Sequence, residues 1–134
     1  MTSAEKNTRA VRAFFDALNS GDLENLRPML SDQTVWRPMV RDMTEKPEYR
    51  GDAIIDEFLG PVRGIFKDNG PLVTLTFLVA DEHRAAAETD GDGETQDGKV
   101  YANKYGWFFD LADGEILAIR EYFDSNYVAK LLAS

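Results

Sequence analysis

The apolar residues of this chain change their spacing near its middle: up to Phe66 they recur mainly at three- and four-residue intervals, and from Leu72 to Phe123 they mostly alternate. A helix needs the first spacing and a half-buried strand the second. A helical half followed by a block of long antiparallel strands specifies an α+β domain rather than a doubly wound sheet.

In the first half, Thr2 and Glu5 stand at capping-box spacing, and Val11, Phe14, Phe15 and Leu18 form one face of a helix that Asn19-Ser20-Gly21 ends. Asp22 caps a second, short helix through Leu23, Leu26 and Leu30, with Pro28 inside it. Gln33 to Val40, with Thr34, Val35 and Trp36, reads as a strand, and Met43 to Pro47 as a polar loop ending at Tyr49-Arg50-Gly51. Asp52 then caps a helix carrying Ile54, Ile55, Phe58, Leu59, Val62, Ile65 and Phe66, which Gly60-Pro61 is predicted to kink into one wall of a pocket.

In the second half, Val73, Leu75, Phe77 and Val79 are assigned to one strand face, Thr74 and Thr76 to the other. After a turn at Asp81-Glu82 the sheet continues from His83 to Glu88. The run Asp90 to Gly98, rich in Gly and acidic residues, is predicted to be an exposed, mobile loop. Lys99 to Leu111 and Glu115 to Phe123 form a hairpin about Ala112-Asp113-Gly114, and Tyr127 to Leu132 a terminal helix or tail.

With 134 residues and no internal repeat, residues 1–134 are expected to form a single domain. A net charge of −9 repels phosphate backbones and anionic lipid surfaces, so neither nucleic acid nor a membrane is an expected partner. The polar start and the lack of any long apolar run predict a soluble, cytoplasmic protein. Without Cys, and with His83 as the lone histidine, no thiolate nucleophile or common transition-metal site is available, and no cofactor or metal is expected.

Carboxylates remain as the groups able to do chemistry. Asp90, Asp92, Glu94 and Asp97 offer hard oxygen ligands but lack the ligand pattern of a calcium-binding loop, and are read as solvated. Glu88 and Asp90 share one strand face at the end of one strand. Glu121 and Asp124, three residues apart near the end of the last, should point to opposite faces, so only one of them lines a pocket. Burial would raise such a carboxyl toward neutrality and poise it for proton transfer. Tyr101, Asn103, Tyr105, Trp107 and Phe109 share a face, with Asn103 an amide among aromatics. Trp36 and Tyr49 supply further apolar wall, and Arg37, Arg41 and Arg50 form a basic cluster.

Three segments, VRAFFDALNSGDLENLRPMLSD, YRGDAIIDEFL and YANKYGWFFDLADGEILAIREYFDSNYV, resemble the nuclear transport factor 2-like superfamily, and within it the SnoaL-like branch. The resemblance spans nearly the whole chain. It implies a cystatin-like cone, a curved antiparallel sheet wrapped on the N-terminal helices around an apolar pocket, in a homodimer. Members of that superfamily include ketosteroid isomerases, polyketide cyclases, limonene epoxide hydrolases, phenazine-biosynthesis proteins and binding domains without activity. By this resemblance Glu121 stands where the cyclases and phenazine proteins place an acid/base carboxylate, with Phe58 near the position of the phenazine proteins' histidine. Asp124 and Asp90 stand where the epoxide hydrolases place two aspartates, and Glu88 matches the arginine between them. The expected function is cofactor-free acid/base chemistry on a small hydrophobic molecule. Glu121, Asp124 and Asp90 are the candidate catalytic residues, and Asn103, Tyr105, Trp36, Tyr49, Phe58, Tyr101 and Trp107 the candidate substrate contacts. The alternatives are a binding module for an apolar ligand and a dimerising interaction domain.

Overall fold

In the computed structural model, which describes residues 1–134, helix α1 (Ser3–Leu18) starts at the predicted capping box. The Thr2 hydroxyl accepts from the Glu5 N–H and the Glu5 carboxylate from the Thr2 N–H, both at 3.1 Å. Two side-chain amides tie the helix to the sheet. Asn7 Nδ2 donates to the Asp81 carbonyl at 2.9 Å while its Oδ1 accepts from the Gly114 N–H at 2.7 Å. Asn19 donates to the Val73 carbonyl at 2.6 Å and accepts from the Val73 N–H at 2.8 Å.

The predicted second helix is instead two 3-10 turns, Leu23–Asn25 and Arg27–Met29. Pro28 supplies no N–H, so the segment closes in separate short turns, Leu26 N–H to Leu23 and Leu30 N–H to Arg27. Strands β1 (Val35–Pro38) and β2 (Tyr49–Arg50) follow, then a π-helical turn (Ile54–Leu59) that runs into α2 (Gly60–Arg63) at the predicted break. The wide turn absorbs the missing Pro61 donor. Strands β3 (Leu72–Ala80), β4 (Arg84–Glu94), β5 (Val100–Ala112) and β6 (Glu115–Phe123) complete the sheet, and α3 (Ser125–Ala133) closes the chain.

The six strands form one curved open sheet in the order β2-β1-β6-β5-β4-β3, so the fold is α+β as expected. Its neighbouring strands are antiparallel except β1 and β6, which run parallel with Val35 opposite Ala118. That pair corrects the expectation of a purely antiparallel sheet: the chain leaves β2 at one edge and re-enters through α2 at the other, so β6 returns beside β1 in its own direction. Asp113 and Gly114, both at positive φ, make the turn of the predicted hairpin, with Ala112, expected in the connection, the last residue of β5.

Two strand readings change. Thr76 is an extra residue between the Leu75–Thr89 and Phe77–Glu88 pairs, so the inward face passes from Val73 and Leu75 to Leu78 and Ala80. Phe77 and Val79, expected beside Val73, are instead about half exposed on the outer face. The acidic run is not a loop up to Glu94, because β4 continues through it. Asp-Gly-Asp-Gly-Glu alternates with the period of a strand: Asp90 and Asp92 point outward, and Gly91 points inward where a side chain has no room. A Cβ there would lie 2.4 Å from a ring carbon of Tyr105.

The core is aromatic. Phe14 packs against Trp36, Trp107 and Phe109 at centroid distances of 5.7, 6.0 and 5.4 Å, and Phe15 against Trp107 at 5.2 Å. All but the tilted Phe14–Trp36 pair meet edge-on, and aromatic pairs of this kind add about 0.5–1.5 kcal/mol each beyond their buried area. No helix is long and apolar enough to cross a membrane. Phe14→Ala is expected to cost about 3–5 kcal/mol in urea unfolding, the range for an aromatic truncated in a core that cannot collapse; a loss below about 1 kcal/mol would mean that α1 is not the principal cover of this face.

Candidate functional site

Helix α1 covers only part of the concave face. Beyond Leu18 and Trp107, a cavity of about 180 Å³ lies between the sheet, the π-helical turn with α2, and α3. Val62, Ile65 and Leu132 line it yet are 38%, 40% and 51% exposed, and so mark its mouth. Its wall is largely apolar, and Arg63 and Glu121 are the charged residues in it.

Glu121 lies on β6 opposite Trp107 of β5 and Pro38 of β1, and is 9% exposed. Its carboxyl accepts a hydrogen bond from Trp36 Nε1 at 3.1 Å. Burial raises it to about 7 and outweighs the Trp36 donor and the Arg63 charge, which act the other way. Near neutral pH this group is available both as acid and as base.

Tyr105 is the diagonal cross-strand neighbour of Glu121, two residues from its partner Trp107, a separation of roughly 7–8 Å along such a ladder. The Tyr105 and Tyr101 hydroxyls are 2.6 Å apart, and Asn103 Nδ2 donates to the Tyr101 oxygen at 2.9 Å. With Asn103 donating to the Tyr101 oxygen, a Tyr101 O–H that donates to the Tyr105 oxygen leaves the Tyr105 O–H free to donate to a molecule in the cavity. Burial pushes both phenols upward, so both stay neutral donors. Gly91 supplies the space in which the Tyr105 ring sits.

The cation was not evident in the sequence as part of the site. Arg63 closes α2 at 5% exposure, with Nε donating to the Asn69 carbonyl at 2.9 Å and Nη2 to those of Leu18 and Pro71 at 3.2 and 2.6 Å. Desolvation lowers it to about 10, which leaves it charged at neutral pH. The available signal was one Arg after the Gly60-Pro61 break in an otherwise apolar run.

The other predicted residues divide clearly. Trp36, Phe58, Tyr101, Tyr105 and Trp107 line the cavity with Glu121. Tyr49 stands behind Phe58, stacked at 4.9 Å, and Asn103 acts on the cavity only through Tyr101. Asp124, as face parity requires, does not share the cavity: its carboxylate caps α3 by accepting from the Tyr127 N–H at 3.0 Å. Asp90 pairs with Lys104 on the outer face, where Glu88 also lies exposed. Arg37 and Arg50 pair with Glu48, and His83 is exposed.

Residues 11–119 match the sequence profile of the SnoaL-like domain family. No curated protein sequence matches the chain. Similar solved structures include Bal32a from a soil-derived mobile gene cassette, 21% identical with a TM-score of 0.81 over 97% of this chain and 98% of that one. TerC, co-crystallized with polyporic acid, is 18% identical with a TM-score of 0.82 over 96% and 99%. An LEH-like epoxide hydrolase of M. tuberculosis is 24% identical with a TM-score of 0.74 over 97% and 92%. At these identities the likeness is one of fold.

The raised Glu121 value has a defined sign in stability. Its contribution is complete below the unfolded value of 4.5 and is lost as pH rises through about 7. Glu121→Gln keeps an acceptor for Trp36 and never ionises. Relative to wild type it should gain on the order of 2–3 kcal/mol between pH 4 and pH 8.5 in urea melts; a difference independent of pH would show that the carboxyl is not desolvated.

Proposed function

Since the chain belongs to the SnoaL-like domain family, we propose that it is an enzyme performing cofactor-free acid/base chemistry on a small hydrophobic substrate held in the cavity of the cone. One observation carries the reading: a single carboxyl, raised to about 7 by burial, stands in the wall of an apolar cavity. A group so poised moves protons at neutral pH in either direction. The polyketide cyclases and ketosteroid isomerases that the sequence resembles are consistent with it.

In this reading Glu121 takes a proton from a carbon beside a carbonyl and returns it elsewhere on the same molecule. Trp36 holds the carboxyl from one side, leaving its second oxygen for the substrate. The Tyr105 hydroxyl, backed by Tyr101 and Asn103, donates to the substrate oxygen as charge develops there. Trp107 and Phe58 fix the apolar body. Isomerisation, cyclisation and dehydration all fit this set. Hydrolysis by two aspartates is less well supported, because Asp124 is used as a helix cap and Asp90 faces away. A second copy of the chain is the proposed partner, supported by Phe77, Val79, Phe108 and Tyr122 exposed on the outer sheet face.

The test is exchange of α-deuterium from a panel of small cyclic and aromatic ketones, followed by NMR. Exchange should rise as pH passes through about 7, fall on the order of 10²–10⁴-fold in E121Q, and fall about 10²-fold in Y105F, with ketone binding retained in both. Undiminished exchange in E121Q would show that Glu121 does not move the proton and end this reading, and binding without any exchange in wild type would leave the cavity as a binding site without chemistry.

A further inference from the structure

Arg63 has more hydrogen-bond donors than the fold uses. Its Nε proton and two Nη2 protons go to the carbonyls of Asn69, Leu18 and Pro71, which accounts for three of the five N–H groups of a guanidinium. Those three bonds are a sufficient structural role. Nη1, with two donors, makes no hydrogen bond within the protein, yet no buried side-chain nitrogen is sealed off without a partner. The residue is 5% exposed and stands in the cavity wall, and Nη1 is the one nitrogen of its guanidinium that the fold leaves unbonded. While Glu121 is protonated the cavity holds a cation with no counter-charge, an arrangement that an incoming anion relieves.

We infer that the cavity takes an apolar molecule bearing one anionic oxygen group, a carboxylate or an enolate, which docks on Nη1 of Arg63 while its body lies against Trp107 and Phe58. This names the substrate class of the same site and rests on the acid/base reading only for what happens at the other end of the molecule. The cavity of about 180 Å³ exceeds the roughly 150 Å³ that accommodates benzene, so the body is one ring with a short arm, and anything longer reaches the mouth.

The anion competes with Glu121. Tyr105 and Glu121 are the titratable groups acting on Arg63, and Arg63 is the charge acting on Glu121. Tyr105 stays neutral, so as pH rises the Glu121 carboxylate becomes both a rival counter-charge for Arg63 and a source of repulsion. Affinity for the anion therefore falls as pH rises through about 7.

Calorimetric titration at pH 6 with matched pairs tests this on the intact protein: phenylacetate against phenylacetamide, 3-phenylpropanoate against its amide, and cyclohexylacetate against its amide. At least one acid should bind tenfold or more tightly than its own amide. Equal binding within every pair, or no binding of any acid up to its solubility limit, would overturn the inference. Arg63→Met, checked for native circular dichroism, should erase the preference; a folded R63M that keeps it overturns the inference too. Because that variant also gives up three carbonyl ties, wild type and E121Q are titrated at pH 6 and 8.5 as well. Acid affinity should drop several-fold in wild type and stay level in E121Q, and a level wild-type profile counts against the inference. The two readings fail separately: E121Q with full exchange activity ends the acid/base reading and leaves the acid-over-amide preference intact, whereas loss of the preference leaves the E121Q defect standing.

Discussion

The packing of Phe14 and Phe15 against Trp107 is the constraint on which the rest of this molecule depends. Trp107 belongs to two environments: the two phenylalanines meet it edge-on from α1, and elsewhere it lines the cavity. Its indole N–H is satisfied by Thr89 at 2.9 Å, so the ring is held on the sheet itself. The helix cannot slide to cover more of the concave face, because Asn7 and Asn19 fasten both of its ends to backbone groups of the sheet and its turns. A curved sheet with a cover of fixed length leaves uncovered area, and that area is the cavity. Its existence is a consequence of core packing.

The two charges in the cavity are stabilised by different means. Arg63 remains charged because three carbonyls from separated segments solvate it, and so it also braces the end of α1 against the entry to β3. Glu121 has one neutral donor and answers burial by holding its proton. A direct ion pair would have neutralised both and driven the carboxyl well below neutrality. The structure has no hydrogen bond or ion pair between them, only a longer-range attraction that burial outweighs, and this separation keeps Glu121 near 7 and Arg63 free at Nη1.

How much of this was legible in the sequence depended on whether the controlling interaction was local. The capping box, the Asp113-Gly114 turn and the opposed faces of Glu121 and Asp124 are local, and each was readable. The Asp-Gly repeat of β4 carried a period of two, but Gly and Asp are so strong a turn signal that composition masked it; the inward space is taken at Gly91 by the Tyr105 ring and at Gly93 by Pro71 and Phe66, all of them distant in sequence. The Thr76 bulge left no trace in the apolar pattern and moved Phe77 and Val79 to the outer face. Arg63 was illegible for the strongest reason: its partners are carbonyls, which every residue has, contributed by segments that only the fold brings together.

The same division between local and distant control separates what is rigid in the site from what can vary. Glu121, Trp36, Tyr101, Tyr105 and Trp107 sit on three hydrogen-bonded strands, where register fixes their positions relative to one another. The mouth is built from α2, α3 and the loop after β1, elements joined to the sheet by fewer bonds. Helix α3 is held by its Asp124 cap, by the Tyr127 hydroxyl accepting from the Ala102 N–H, and by Lys99 Nζ donating to the Leu131 and Ser134 carbonyls. Exchanging Leu132 or Ile65 for another apolar residue changes the mouth without disturbing the ladder that carries Glu121. A fold arranged this way can keep a proton-transfer group and a charged anchor on fixed elements while its outer wall adapts to molecules of different length.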